Sequence, residues 1–209
     1  SGASVLVTGH GSQLNTTAGR LLVEQGASLT IENGADVTSF GAIEIGRTPG
    51  SGTITVDGSG STLTANGSTA SILAEPGLSA TAVLTFRNNS SGFFPGGLSL
   101  LLGSTLNLES GASLISGPNT LSGGVLNLNG GSFSTSTFSQ TSLSTLNFSS
   151  GTFSLTGSSG LTIGTGGALG TNVLATVGRT YNVTNTPTIT PSGHLQINGG
   201  SFSTATLIN

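Results

Sequence analysis

Short apolar–polar–apolar triplets punctuate the chain: LTI at 29, ITV at 54, LTF at 84, LNL at 106, LNL at 126, LNF at 146, LTI at 161 and LQI at 195. Side chains of a strand alternate between its two faces, so each triplet reads as a strand with one buried face. Most triplets run on into a small turn and a second short strand, as in "LTIENGADVTS", "LNLESGASLIS", "LNLNGGSFSTS" and "LNFSSGTFSLT". Gly34, Gly111, Gly131 and Gly151 hold corresponding places, which suits a corner that needs positive φ or has no room for a Cβ. No segment keeps the 3, 4 and 7 spacing of an amphipathic helix, so little or no helix is predicted.

From residue 84 the triplets lie 22, 20 and 20 residues apart, and GGSFST occurs twice, at 130–135 and 199–204. Many short strands also suit a sandwich or an antiparallel barrel. A repeat of about 20 residues, without clean Asn-Gly or Asp-Gly hairpin loops, favours coils that stack on their neighbours. The prediction is one all-β domain over 1–209: a right-handed parallel β-solenoid of about nine irregular coils, roughly 40–45 Å long at about 4.8 Å per coil. Leu, Ile, Val and Phe should fill its interior. Leu106, Leu126 and Leu146 should align, and Phe133 should point as Phe202 does.

"VTGHGSQL" at 7–14 matches "VDGSGSTL" at 56–63, and "LLVEQGASLTIENGADVTS" and "AIEIGRTPGSGTITVDGSGSTLTANG" extend the pattern. These stretches resemble the repeats of autotransporter-type passengers and related bacterial surface proteins with β-strand repeats. Residues 1–87 carry the clear passenger-type pattern; 98–209 keep only a divergent, Ser/Thr/Gly-rich rhythm of strands and glycines. Leu14 and Leu63 stand where the family often has an aromatic residue. The resemblance implies a long extracellular β-helix serving as stalk, adhesin or scaffold, with no catalytic residues to carry over.

Composition narrows the chemistry. Gly, Ser and Thr make up 100 of the 209 residues, full charge is confined to four arginines and seven acids, and Lys, Cys, Met and Trp are absent. A net charge of −3 with recurrent apolar runs does not fit disorder, which needs low hydrophobicity and high net charge. All seven acids lie between Glu24 and Glu109, and Arg179 is the sole full charge beyond them. Without a basic stripe there is nothing to track phosphates, so nucleic acid is not an expected partner. No apolar run reaches the 18 or more residues of a membrane helix, so this chain is not expected to insert into a membrane. With no initiator Met and no signal-peptide pattern, Ser1 reads as the start of a processed or excised segment. The make-up points to the cell surface or the extracellular space.

Reactive groups are few. His10 and His194 fall near opposite ends of the predicted rod and share no site. Asp57, Ser59 and Ser61 in "DGSGS" have loose calcium-loop spacing but no following bidentate acid, and read better as a turn cap. "GHGS" and "GSGS" lack the Lys and helix of a phosphate loop. Glu24, Glu44 and Glu75 occupy aligned repeat positions and read as a ladder of solvated acids rather than an acid/base pair. No enzyme activity, cofactor or metal is expected. A polysaccharide-active β-helix needs acids converging on a groove, and an ice-binding array needs Thr-x-Thr in every coil; neither pattern is present. Asn15, Asn66, Asn88, Asn89, Asn147 and Asn182 stand in N-x-S/T sequons and are candidate glycan acceptors. Phe93 and Phe94 in "SSGFFPGG" read as an inserted loop that covers the coil or contacts a partner.

Neither terminus looks like a cap: "SGASVLV" is already in strand rhythm, and "SFSTATLIN" keeps Leu207 and Ile208 apolar to the end. Open solenoid ends invite pairing, so other copies of the chain are the expected partner, joined head to tail into a filament. Val5 and Val7 should meet Phe202, Leu207 and Ile208 of the next subunit. The alternative is a segment of a longer adhesin or stalk that binds surface glycans.

Overall fold

The computed structural model describes residues 2–47, 50–68, 71–74, 80–158 and 160–209, with backbone alone at 71 and 72. Among these residues every regular element is a strand, and every pairing between strands is parallel. The chain is a parallel β-solenoid of about nine turns. The predicted architecture stands.

Each coil contributes to three stacked faces. The first starts with Ser4–Thr8 and continues through Ala27–Glu32, Ser51–Asp57, Thr81–Arg87, Ser104–Leu108 and the leading parts of Val125–Gln140 and Thr145–Leu155. The second runs from Gln13–Asn15 to Arg179–Val183 and Ser201–Thr204, and the third from Leu21–Val23 to the end of Val125–Gln140. Stacking in register aligns like positions into columns that run along the rod.

The inward columns follow the triplets. Val5, Leu29, Ile54, Leu84, Leu106, Leu126 and Leu146 form one, and Val7, Ile31, Val56, Phe86, Leu108, Leu128 and Phe148 form the next. On the second face the column is Leu14, Val37, Leu63, Gly92, Leu114, Phe133, Phe153, Tyr181 and Phe202. Phe133 and Phe202 therefore do point the same way. Gly92 is the gap in that column: a Cβ there would lie 2.6 Å from Phe86 Cζ and 2.7 Å from Leu114 Cδ1, so its absence makes room for the Phe86 ring.

Two readings are corrected. The triplet at 161 does not continue the first face; Thr162–Ile163 pairs with Thr188–Ile189 in a separate sheet. That face is resumed by Asn172–Thr176, paired with His194–Asn198, so LQI at 195 follows "NVLAT" rather than LTI. The corner glycines behave as expected: Gly34, Gly111 and Gly151 have positive φ, and Gly131 has no room for a Cβ, which would lie 2.9 Å from Leu108 Cβ.

Candidate functional site

The N-terminal coil leaves apolar side chains uncovered. Val5 and Leu6 of the first strand are 46% and 58% exposed, and Leu22 is 45% exposed. A hollow of about 160 Å³ opens there, lined by Val5, Leu14, Leu21, Leu22 and Leu29 among others. At the far end Ile197, Leu207 and Ile208 are exposed, and Phe202 is half-buried against Tyr181 at 6.0 Å between ring centroids. Among the described residues no strand lies beyond the outer edges of Ser4–Thr8 and Gln13–Asn15 at one end, or of His194–Asn198 and Ser201–Thr204 at the other. The columns identify what is exposed: Val5 and Val7 head the first-face columns, and Leu14 heads the column that Phe202 closes.

Behind Phe202 lies a chain of aromatic contacts. Phe133 and Phe153 stand 5.7 Å apart, Phe153 and Phe138 5.2 Å, and Phe148 and Tyr181 5.0 Å, all near edge-to-face. Burial raises the Tyr181 hydroxyl pKa above its ordinary value, and the charge of Arg179 partly opposes this.

Between the inward columns the first face presents a polar ladder to solvent. Asn147 Nδ2 donates to Asn127 Oδ1 at 2.8 Å, Asn127 Nδ2 to Asn107 Oδ1 at 2.8 Å, and Asn107 Nδ2 to Thr85 Oγ1 at 3.1 Å. Amide ladders of this kind stabilise in-register stacking. With Glu109, Asn129 and Ser149 the three asparagines line a shallow groove parallel to the rod.

The charged groups mostly act as staples between coils. Glu44 is 5% exposed, held by Arg20 at 2.7 Å and Arg47 at 2.8 Å. The expected ladder of solvated acids is therefore corrected: Glu44 aligns with Leu22 and Ile72, not with Glu24, and is covered by two guanidinium groups. Glu75 lies outside the described residues. Asp57 accepts from Arg87 Nε at 2.8 Å and Asn88 Nδ2 at 2.7 Å. Its pKa is lowered below 3.8 chiefly by the Asn88 hydrogen bond, against a smaller opposing effect of burial, with help from Arg87. Ser61 caps the turn, donating to the Asp57 carbonyl at 2.7 Å and accepting from Gly34 N–H at 3.0 Å.

"SSGFFPGG" is not an inserted loop. Ser91–Phe94 is a strand of the second face, paired on both sides. Alternation turns Phe94 into the core, where it meets Phe86 edge-on at 6.4 Å, and leaves only Phe93 exposed. Sequence reasoning read the Phe pair as one unit and missed that neighbours in a strand face opposite ways. His10 and His194 are exposed, in the first coil and in a late one. Asn15, Asn66, Asn88, Asn89 and Asn147 are exposed and Asn182 is half-buried. Among the described residues no three His, Cys, Asp or Glu side chains form a group that could hold a metal ion.

No family model matches the chain. No curated protein matches it either. A solved structure of a TibC-catalysed, hyper-glycosylated TibA fragment is 17% identical, over 99% of this chain and all of that one, with a TM-score of 0.26. A superposition that loose carries nothing about function. The solenoid that the resemblance implied rests on this chain's own register.

Proposed function

We propose that the chain is a non-enzymatic structural β-solenoid displayed outside the cell, and that it stacks head to tail on further copies of itself into a filament. One observation carries this reading: both end coils combine an open strand edge with uncovered apolar side chains. With His194–Asn198 laid on Ser4–Thr8 of the next copy, Leu195 and Ile197 cover Val5 and Val7. Ser201–Thr204 on Gln13–Asn15 then places Phe202 over Leu14. This refines the sequence reading, which set Phe202 against Val5 and Val7. The low charge leaves little repulsion to oppose stacking, and a head-to-tail contact of this type does not close on itself.

The test is electron microscopy and sedimentation of the purified 209-residue chain across a concentration series. Filaments one solenoid wide are expected, shortened by Phe202→Asp or Val5→Asp. Uniform single rods at every concentration would overturn the reading, and would leave a length of stalk whose ends are covered by further coils of one polypeptide.

Binding of surface glycans is a second reading, favoured by the amide groove of Asn107, Asn127 and Asn147. A glycan array probed with the chain and with Asn127→Ala tests it: loss of a specific signal in the variant supports it, and a blank array removes it.

A further inference from the structure

The first face is interrupted once. Thr145–Phe148 pairs with Val125–Leu128 on one side only, and Asn172–Thr176 pairs with His194–Asn198 on one side only. The two strands follow each other along the face but stand out of ladder distance. Between them opens a cleft of about 440 Å³, lined by Gln140, Asn147, Phe148, Asn172, Leu174 and Arg179 among others. On the second face the same two coils are joined directly, Gly151–Leu155 against Arg179–Val183. The solenoid is therefore splayed at one face and closed at the next.

The backbone groups that face this cleft follow from alternation. Thr145 N–H donates back to Gly124, so Leu146 and Phe148 turn their N–H and C=O forward into the opening. His194 N–H donates back to Thr171, so Asn172 and Leu174 turn theirs toward the same opening from the other side. One of these groups is already satisfied: Arg179 Nη1 donates to the Leu174 carbonyl at 3.2 Å, the bond that a neighbouring strand would otherwise make.

Two side-chain atoms mark the cleft further. Gln140 Oε1 and Arg179 Nε are buried without a hydrogen-bond partner, alone in this among the side chains of the described residues. Buried polar atoms are nearly always paired, so two orphans lining one opening need an explanation. Gln140 also stands at the end of an inward column whose other members, Val23, Ile45, Leu73, Leu100 and Leu121, are all apolar and buried. Arg179 is the sole full charge after Glu109. It has no acidic partner among the described residues; its guanidinium rests 5.9 Å from the Phe148 ring.

We propose that this cleft takes an extended polypeptide segment as an added strand, with a carboxylate side chain of that segment paired to Arg179. Open parallel edges recruit strands through their main-chain groups, and Leu146 and Phe148 offer donors and acceptors at strand spacing. A carboxylate supplies the acceptor that Arg179 lacks, and a side-chain amide or hydroxyl on the segment supplies the donor for Gln140. The proposal is independent of filament formation, because the cleft lies on the flank of the rod and not at either end.

Amide hydrogen exchange on the 209-residue chain, with two synthetic peptides, provides the test. The peptides are acetyl-TVTETVT-amide and its counterpart with Lys in place of Glu. In the free chain the amides of Leu146 and Phe148 should exchange much faster than those of Leu126 and Leu128, which lie inside the ladder. The Glu peptide should bind and slow Leu146, Phe148 and Leu174. The Lys peptide should bind at least about tenfold more weakly, as should the Glu peptide to Arg179→Gln. Arg179→Lys should recover part of the binding, which separates loss of charge from loss of fold. Full protection of Leu146 and Phe148 in the free chain would overturn the proposal, and so would failure of the Glu peptide to bind. Binding of oligogalacturonate with no change in amide exchange would assign the cleft to an acidic saccharide instead, and would equally overturn it.

Discussion

Replacing Phe153 with Ala tests whether the aromatic column holds the coils together. Phe153 is fully buried on the second face. Its ring meets Phe133 at 5.7 Å, Phe138 at 5.2 Å and Tyr181 at 6.4 Å. It thus links three successive coils. A Phe-to-Ala change in a core costs about 3–5 kcal/mol. Edge-to-face pairs contribute about 0.5–1.5 kcal/mol each beyond burial, so the upper part of that range is expected. Phe153→Leu keeps most of the apolar volume and loses the ring contacts, and should cost about 1–2 kcal/mol.

The distribution of the loss matters more than its size. Coils of a solenoid contact only their neighbours, so stability is a sum of local terms and partial unfolding is available. Urea unfolding followed by amide exchange should show residues 160–209 losing protection first in Phe153→Ala, while Ala27–Glu32 and Ser51–Asp57 keep theirs. Phe93→Ala, at an exposed ring on the same face, is the control and should shift stability by less than about 0.5 kcal/mol. A Phe153→Ala loss below about 1 kcal/mol would refute the account of the column. An equal loss of protection in the first coils would refute the locality.

Gly92→Ala puts a methyl against Phe86 and Leu114 and should cost about 1–3 kcal/mol in denaturant unfolding; Phe86→Leu in the same chain should recover part of it, and two independent losses would show that the ring is not the obstacle. Arg20→Ala and Arg47→Ala should each be mild, because the other guanidinium still covers Glu44. The double variant should cost more than their sum by about 1 kcal/mol or more in a double-mutant cycle, since it strands a buried carboxylate. Asp57 has a folded-state pKa below 3.8, so its contribution is present above that value and is lost as pH falls through the lower folded one. Thermal melts between pH 5 and pH 2 should therefore show a shallower acid decline in Asp57→Asn than in the parent chain, and parallel curves would contradict this.

The inward columns were legible because strand alternation is local: each triplet carries its own instruction, and Leu106, Leu126 and Leu146 align because their equal spacing returns the chain to the same face. What escaped was whatever depends on two coils of unequal length meeting. Glu44 looked solvated because its cover comes from Arg20, one coil earlier, and from Arg47 just beyond its own strand. Phe94 looked like part of a loop because its inward contact is with Phe86 on another face of the same coil, which the spacing of the two residues does not announce. "NVLAT" was overlooked because it has only the short Ala175 where other coils have Ile, Val, Leu or Phe. The splay beside it is invisible in sequence: the step from Thr145 to Asn172 is longer than that from Val125 to Thr145, but the step from Ile54 to Leu84 is longer still and stays in the ladder.

The placement of charge bears on the cleft as well. Nearly half the chain is Gly, Ser and Thr, so an ionised group in a coil is an exception with a local cause. Arg20 reaches Glu44 one coil on, and Arg87 reaches back to Asp57; Arg47 completes the cover over Glu44. Three of the four arginines thus serve as staples within the rod. Arg179 breaks the rule. Its register partner in the preceding coil is Gly151, and no acid follows it in sequence. A charge with no acidic partner among the described residues, beside an open strand edge and an inward Gln, is arranged for a carboxylate that this stretch of chain does not supply. If the arginine were a further staple, Arg179→Gln would weaken the ladder between Gly151–Leu155 and Arg179–Val183. If it serves an incoming strand, that ladder should keep its protection and only peptide binding should fall.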